Sequence, residues 1–267
     1  MTGTAVRRVP AGQRPAPPWI TYGIIGTCCV VFLAGPAAGF VPLAGRPEGT
    51  GRPGGSELLA EQTAYFERWG VVPAALWHGS PQSLITPLTA LFVHGNWLHL
   101  LGNMLFLYVF GAMAEQHMGR RAFALFYLAV GAAALLGYAA AHAHSTQTLV
   151  GASGAISGVL GAFLYLFPRA RVTSLFPFLF FLPLRFPAWM VLLFWFALQW
   201  LAARSAGDRP QVAYLAHVIG FALGFLYAWA RYTCAARVKV PVPSDAPSAA
   251  ARDGGPGPDG APPPDPR

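Results

Sequence analysis

Leu149-Val-Gly-Ala-Ser-Gly-Ala-Ile-Ser-Gly-Val-Leu-Gly-Ala-Phe-Leu-Tyr-Leu-Phe167 reads as an apolar helix long enough to cross a bilayer, and its outer end carries Gly151, Ser153 and Gly154. A hydroxyl flanked by glycines near the start of a spanning helix leaves room for another helix or a peptide to approach the backbone. The first N–H groups of such a helix lack intrahelical acceptors and can bind an oxyanion. The same glycines, as Gly154-x-x-x-Gly158, also suit close helix packing in lipid. Taken alone, the stretch therefore supports a packing reading as well as a chemical one, and the rest of the chain must weigh between them.

Of the 267 residues, 55% are hydrophobic and 10% charged, and the mean hydropathy is +0.46. One water-soluble core of this size cannot bury that much apolar surface, so the expected class is an all-α polytopic membrane protein. The formal net charge is +8, but the basic residues are scattered through tails and short loops rather than along one stripe. This pattern points to membrane orientation, with the lipid bilayer and not nucleic acid as the partner. Cys28 and Cys29 are adjacent and Cys234 is remote, so neither a disulfide framework nor a metal-ligand spacing exists, and no cofactor is expected. The first apolar run begins at Trp19 and has the length of a span, which argues against a cleavable signal.

The chain divides into a cytoplasmic arm (1–18), a membrane domain (19–232) and a Pro/Gly-rich disordered cytoplasmic tail (233–267). Arg7, Arg8 and Arg14 hold the arm inside, so the first span runs outward from Trp19 to about Val41. Residues 42–86, rich in Gly and Pro, form an external loop with short interfacial helices around Tyr65 to Trp77. The second span starts between His94 and Trp97 and ends near Glu115, ahead of Arg120 and Arg121. The third covers Phe123 to Ala141, and the fourth is the Ser153 helix, ending at Pro168-Arg-Ala-Arg171. Leu175 to Pro187, broken by prolines, reads as a surface-lying or re-entrant approach to a fifth span over Ala188 to Ala203. The sixth, Val212 to Ala230, runs inward. The expectation is a six-helix bundle in the cell membrane, with an interfacial first external loop and both termini cytoplasmic.

In this topology spans two, four and six all run from outside to inside, so His99, Ser153 and His217 lie within about two turns of the outer ends of their helices. A hydroxyl nucleophile needs a neighbouring base, and the imidazoles are the candidates. The acids are Glu48, Glu57, Glu61, Glu67, Glu115, Asp208, Asp245, Asp253, Asp259 and Asp265, none expected in the middle of a span. That excludes paired intramembrane carboxylates, a His-Glu-x-x-His metal helix and a complete Ser-His-Asp triad. Serine chemistry here would rest on a dyad. His99 and Asn103, four apart, share a helical face and form a donor pair that could point toward Ser153, with His94 nearby. Ala216, Gly220 and Gly224 give a smooth face beside His217 that can dock on Gly154 and Gly158, while Ser157, one turn deeper, is a rival nucleophile.

Three motifs on three spans carry a family resemblance. His94-Gly-Asn-Trp-Leu-His-Leu-Leu-Gly-Asn103, Gly151-Ala-Ser-Gly154 and Ala216-His-Val-Ile-Gly220 together resemble the rhomboid intramembrane serine proteases of the six-span bacterial type, over roughly residues 19–232. The resemblance implies Ser153 as nucleophile and His217 as general base. It further implies His99, Asn103 and the Ser153 backbone N–H as oxyanion stabilisers, Gly151 as shaper of the loop before the serine, and transmembrane proteins as substrates. Two departures stand out: Ile85-Thr86 occupies the place of a Trp-Arg pair that anchors the first loop in many members, and Ser157 that of a Tyr stacked under the catalytic histidine in some. The alternatives are a non-catalytic rhomboid-like protein that binds membrane helices, from which retention of Ser153 and His217 argues away, and a small-solute channel. A channel would need polar residues through the whole bilayer depth.

Overall fold

The computed structural model describes residues 16–39, 55–78, 81–176, 182–205 and 213–237. The first apolar run forms α1 (Trp19–Ala34), shorter than expected because the chain turns extended at Gly35 and enters a 3-10 turn at Pro36–Ala38. The amphipathic patch beyond it forms α2 (Gly55–Trp69) and α3 (Pro73–His78), followed by the short α4 (Thr86–Thr89). The second expected span is α5 (Trp97–Phe106), which passes through a π-helical turn at Leu107–Gly111 into α6 (Ala112–Met118). Asn96 caps its start, accepting the His99 N–H on Oδ1 at 2.8 Å. Then come α7 (Arg120–Ala141), α8 (Ser153–Leu166), α9 (Ala188–Ser205) and α10 (Tyr214–Arg237). The last runs to Arg237, past the position where the tail is expected to begin. The arm up to residue 15 and the tail from residue 238 lie outside the described residues.

Three of these helices, Trp97–Met118, Arg120–Ala141 and Ala188–Ser205, are long and apolar enough to cross a membrane, while Trp19–Ala34 and Ser153–Leu166 are apolar but shorter. The Ser153 helix therefore departs from the sequence reading: it has 14 residues and begins at Ser153, not at Leu149. The cause lies far upstream. Leu149 exchanges backbone hydrogen bonds with Val71 (2.9 and 2.8 Å), which draws residues before the serine into an extended bridge. Gly151 then takes φ +124, a backbone state closed to a continuing helix. At about 1.5 Å per residue the helix is roughly 21 Å long, less than the bilayer core. It is instead enclosed by protein, with Gly154 through Leu164 all buried.

Glycine decides how α8 and α10 meet. A Cβ on Gly220 would collide with the Gly154 carbonyl, one on Gly224 with the Gly158 carbonyl and one on Gly161 with the Phe221 carbonyl. Backbones in direct contact are what small residues achieve in lipid, where packing replaces the hydrophobic drive. This seam holds the outset of α8 against the second and third turns of α10.

The proline-broken stretch after α8 forms two paired strands in its described residues. β1 (Arg171–Phe176) pairs antiparallel with β2 (Leu182–Pro187), from Arg171↔Pro187 to Phe176↔Leu182. Pro183 and Pro187 are tolerated because in a two-strand ribbon every strand is an edge. The described residues between α1 and α5 are anchored without the Trp-Arg pair. Besides the Val71–Leu149 bridge, Ala74 N–H donates to the Ser145 carbonyl (2.9 Å), Trp77 Nε1–H to that of Ala139 (3.2 Å) and Thr89 Oγ1 to that of Trp69 (2.7 Å).

Glu115 has a structural role that its position at the end of the second span does not announce. It is 2% exposed, and its carboxyl oxygens accept Ile20 N–H (3.0 Å), Thr21 N–H (2.7 Å) and the Thr21 hydroxyl (2.8 Å). These are donors in the first turn of α1 that have no intrahelical acceptor. Glu115→Ala leaves them unpaired at roughly 1–3 kcal/mol each, and is expected to lower the thermal unfolding midpoint by on the order of 5–10 °C. Glu115→Gln, which keeps one acceptor oxygen, should lose about half as much. A midpoint unchanged in Glu115→Ala would show that α1 needs no cap from α6.

Candidate active site

Each chemically able residue sits near the start of its own helix: His99 is the third residue of α5, Ser153 the first of α8 and His217 the fourth of α10. The structure gathers them around one cavity of about 630 Å³, whose wall also includes Asn103, Ser157, Trp195 and Gln199. Ser153 Oγ lies 2.8 Å from His217 Nε2, a hydrogen-bond distance between a hydroxyl and an imidazole nitrogen. The first hydrogen bond of α8 runs from Ile156 N–H to the Ala152 carbonyl (2.9 Å), so the N–H groups of Ser153, Gly154 and Ala155 precede the helical ladder.

His99 and Gly151 are matched in shape. A Cβ on Gly151 would lie 2.7 Å from both Cε1 and Nε2 of His99, so only glycine lets the ring rest on this loop, and the Gly151 N–H is tied to the Ala90 carbonyl at 2.8 Å. Asn103 is 8% exposed and donates from Nδ2 to the His99 carbonyl one turn back (3.0 Å), which leaves the second amide hydrogen uncommitted by that bond. His94 does not line the cavity. It packs edge-on against the His99 ring at 5.1 Å, its Nδ1 faces the Phe92 carbonyl at 3.3 Å, and Nε2 has no partner among the described residues. Burial, with His99 as a smaller second cause, lowers its pKa from 6.5 to about 4, so the ring is neutral at ordinary pH. Gly154 and Gly220 meet in the helix seam.

Ser157 is separated from Ser153 by its own hydrogen bond. Its hydroxyl, 1% exposed, donates to the Ser153 carbonyl at 2.6 Å, the back-bond typical of serine inside a helix. Where a Tyr from α8 would stack on the histidine, the imidazole has other neighbours. Trp195 lies at 6.2 Å and 32°, Tyr214 at 6.3 Å and 89°, and Gln199 Oε1 at 2.8 Å from Nδ1. Sequence reasoning did not single these out. The available signal is that Gln199 is the one amide in α9 and interrupts an apolar run that lasts until Arg204 and Ser205 at its end, and polar groups in spanning helices usually face a partner. Among the described residues no group of His, Cys, Asp and Glu could hold a metal ion.

A model of the Rhomboid domain matches residues 81–234, more than half of the chain. Over 151 residues the chain is 34% identical to rhomboid protein 1, mitochondrial, of Saccharomyces cerevisiae, covering 55% of this chain and 42% of the relative. It is 35% identical over 96 residues to rhomboid-like protein 11, chloroplastic, of Arabidopsis thaliana, covering 36% and 33% respectively. A third relative, RHOMBOID-like protein 5 of the same plant, is 34% identical over 77 residues, covering 29% and 25%. The chain thus spans less than half the length of each of these curated relatives.

Proposed function

The chain belongs to the rhomboid family, whose members are generally intramembrane serine proteases, and on that premise we propose that it is a serine endopeptidase cutting transmembrane proteins near the outer membrane face with a Ser153–His217 dyad. The observation that carries the reading is the 2.8 Å contact of Ser153 Oγ with His217 Nε2. Ser153 Oγ bonds to the substrate carbonyl carbon while His217 Nε2 takes the hydroxyl proton and the carbonyl π electrons move onto oxygen. That oxyanion is met by the Ser153 N–H, His99 and Asn103. Collapse breaks the C–N bond, the amine leaves with the proton from His217, and water, deprotonated by the same imidazole, hydrolyses the acyl-serine. No cofactor or metal enters this scheme.

In the proposed arrangement α1, α5 with α6, α7, α8, α9 and α10 are six crossings of a cell membrane with both termini inside. Basic residues at the ends of spans support that orientation.

The substrate is a membrane helix weakened by small or helix-breaking residues at its outer end. A peptide bond inside an intact helix has its carbonyl hydrogen-bonded, so the segment must unwind before attack, at several kcal/mol per freed group in lipid. Gly lowers that cost in advance. Moving a Gly-Ala pair along a model transmembrane substrate and mapping the cut by mass spectrometry tests this: the cut is expected only when the pair lies in the outer half. Efficient cleavage of an all-Leu segment, or a cut that followed the pair to the inner half, would overturn the substrate reading. Failure of a mechanism-based serine-hydrolase probe to label Ser153 would overturn the protease reading in favour of helix binding without catalysis.

A further inference from the structure

An imidazole can accept the Ser153 proton only if Nε2 carries its lone pair, which in the neutral ring requires the proton on Nδ1. The opposite tautomer would point an N–H at the serine hydroxyl and take no proton from it. In serine hydrolases with a triad an acid on Nδ1 makes this choice, and no Asp or Glu stands there in the described structure. Gln199 Oε1 does, at 2.8 Å.

We propose that Gln199 of α9 is a positioning residue that holds His217 in the Nδ1–H tautomer and aims Nε2 at Ser153. This rests on the protease reading of the same site, and adds to it a third member drawn from a helix that none of the three family motifs touches. The amide oxygen accepts the Nδ1 proton throughout and never takes it, so during attack the positive imidazolium is faced by a carbonyl dipole and not by a counter-ion. Trp195 lies four residues earlier on the same face of α9 and packs toward the imidazole from that side. Together they supply from α9 the orientation that a Tyr at position 157 of α8 would otherwise give. A Ser at 157, its hydroxyl already committed to the Ser153 carbonyl, cannot do so. Three further features fit. The contact is between side chains on separate helices, Gln199 lines the cavity, and the amide has no nearer reason to interrupt an apolar helix.

Two near-isosteres separate positioning from packing. Gln199→Met keeps length and volume and removes the acceptor, whereas Gln199→Glu keeps an acceptor oxygen at the same reach. Kinetics on a cleavable transmembrane substrate in proteoliposomes should show kcat reduced about 10- to 10²-fold in Gln199→Met with KM within about twofold. That is a smaller loss than the ~10⁴ caused by the wrong tautomer in an acid-based triad, since a neutral amide contributes less than a carboxylate. Gln199→Glu should recover most of the turnover. Ring ¹⁵N spectra of histidine-labelled protein, with the His217 signals assigned by their loss in His217→Ala, read the tautomer without any activity: protonated Nδ1 in the wild type and in Gln199→Glu, a mixture in Gln199→Met. A wild type with protonated Nε2, or a Gln199→Met enzyme with unchanged kcat, overturns the proposal. If the wild type cleaves nothing while its His217 is Nδ1-protonated and Gln199→Met loses that preference, the protease reading fails and the role of Gln199 stands.

Discussion

Ser153→Ala is expected to abolish cleavage of a transmembrane substrate, with a loss of at least about 10⁴-fold in kcat, and His217→Ala to do the same. Each substitution removes one end of the 2.8 Å contact that carries the nucleophile's proton in the proposed mechanism. Ser157 is a poor substitute, because its hydroxyl is buried and donates to the Ser153 carbonyl. The two losses should not add. Once either partner is gone the other has no proton-transfer role, so the double variant should be no slower than the worse single one. Stability should change little in Ser153→Ala, since the α8–α10 seam rests on glycines against backbone carbonyls and not on the serine hydroxyl. Substantial turnover by purified Ser153→Ala, measured with thermal unfolding on the same preparation, would move the nucleophile elsewhere.

Asn103→Ala is expected to lower kcat by on the order of 10² to 10³ with little change in KM, the pattern of a donor that acts on charge present only in the transition state. The geometry admits this role. One amide hydrogen is used by the His99 carbonyl at 3.0 Å, and the side chain stands in the wall of the cavity that holds Ser153. The bond to His99 also gives Asn103 a place in the helix, so the split between kcat and KM, and not activity alone, is the decisive measurement. A variant with normal turnover and a lowered unfolding midpoint would make Asn103 a helix fastener.

Much of this was legible in the amino-acid order because membrane helices make depth readable. Apolar length marks each span, basic residues mark the inner ends, and motifs at matching distances from outer ends must share a level. That reasoning puts His99, Ser153 and His217 at one level, while their roles rest on the family resemblance, and the glycines at 154, 158, 220 and 224 announce that two helices touch. Less visible was where a helix begins. Leu149 to Ala152 are apolar or small and continue the pattern of α8, yet they precede the helix, because Val71 pairs with Leu149 across a loop and Gly151 turns the chain. Apolar composition carries no signal of a backbone bond to a partner 78 positions away. The stretch from Arg171 to Pro187 was legible only in part for a related reason: its prolines signal that a helix is refused, and the strand pairing of its described residues is a contact between segments.

By itself, then, the order of residues determined the class of protein, the helices that bear the candidate residues and the family they resemble, since these follow from local hydropathy and from motifs within single helices. The tertiary structure alone decided which nitrogen of His217 faces Ser153, that Gln199 stands behind the ring and that Glu115 caps α1. Each of these is a directional contact between side chain and partner on different helices. Its existence turns on ångström-scale helix rotation and approach, quantities set by the packing of the whole bundle and written in no single segment.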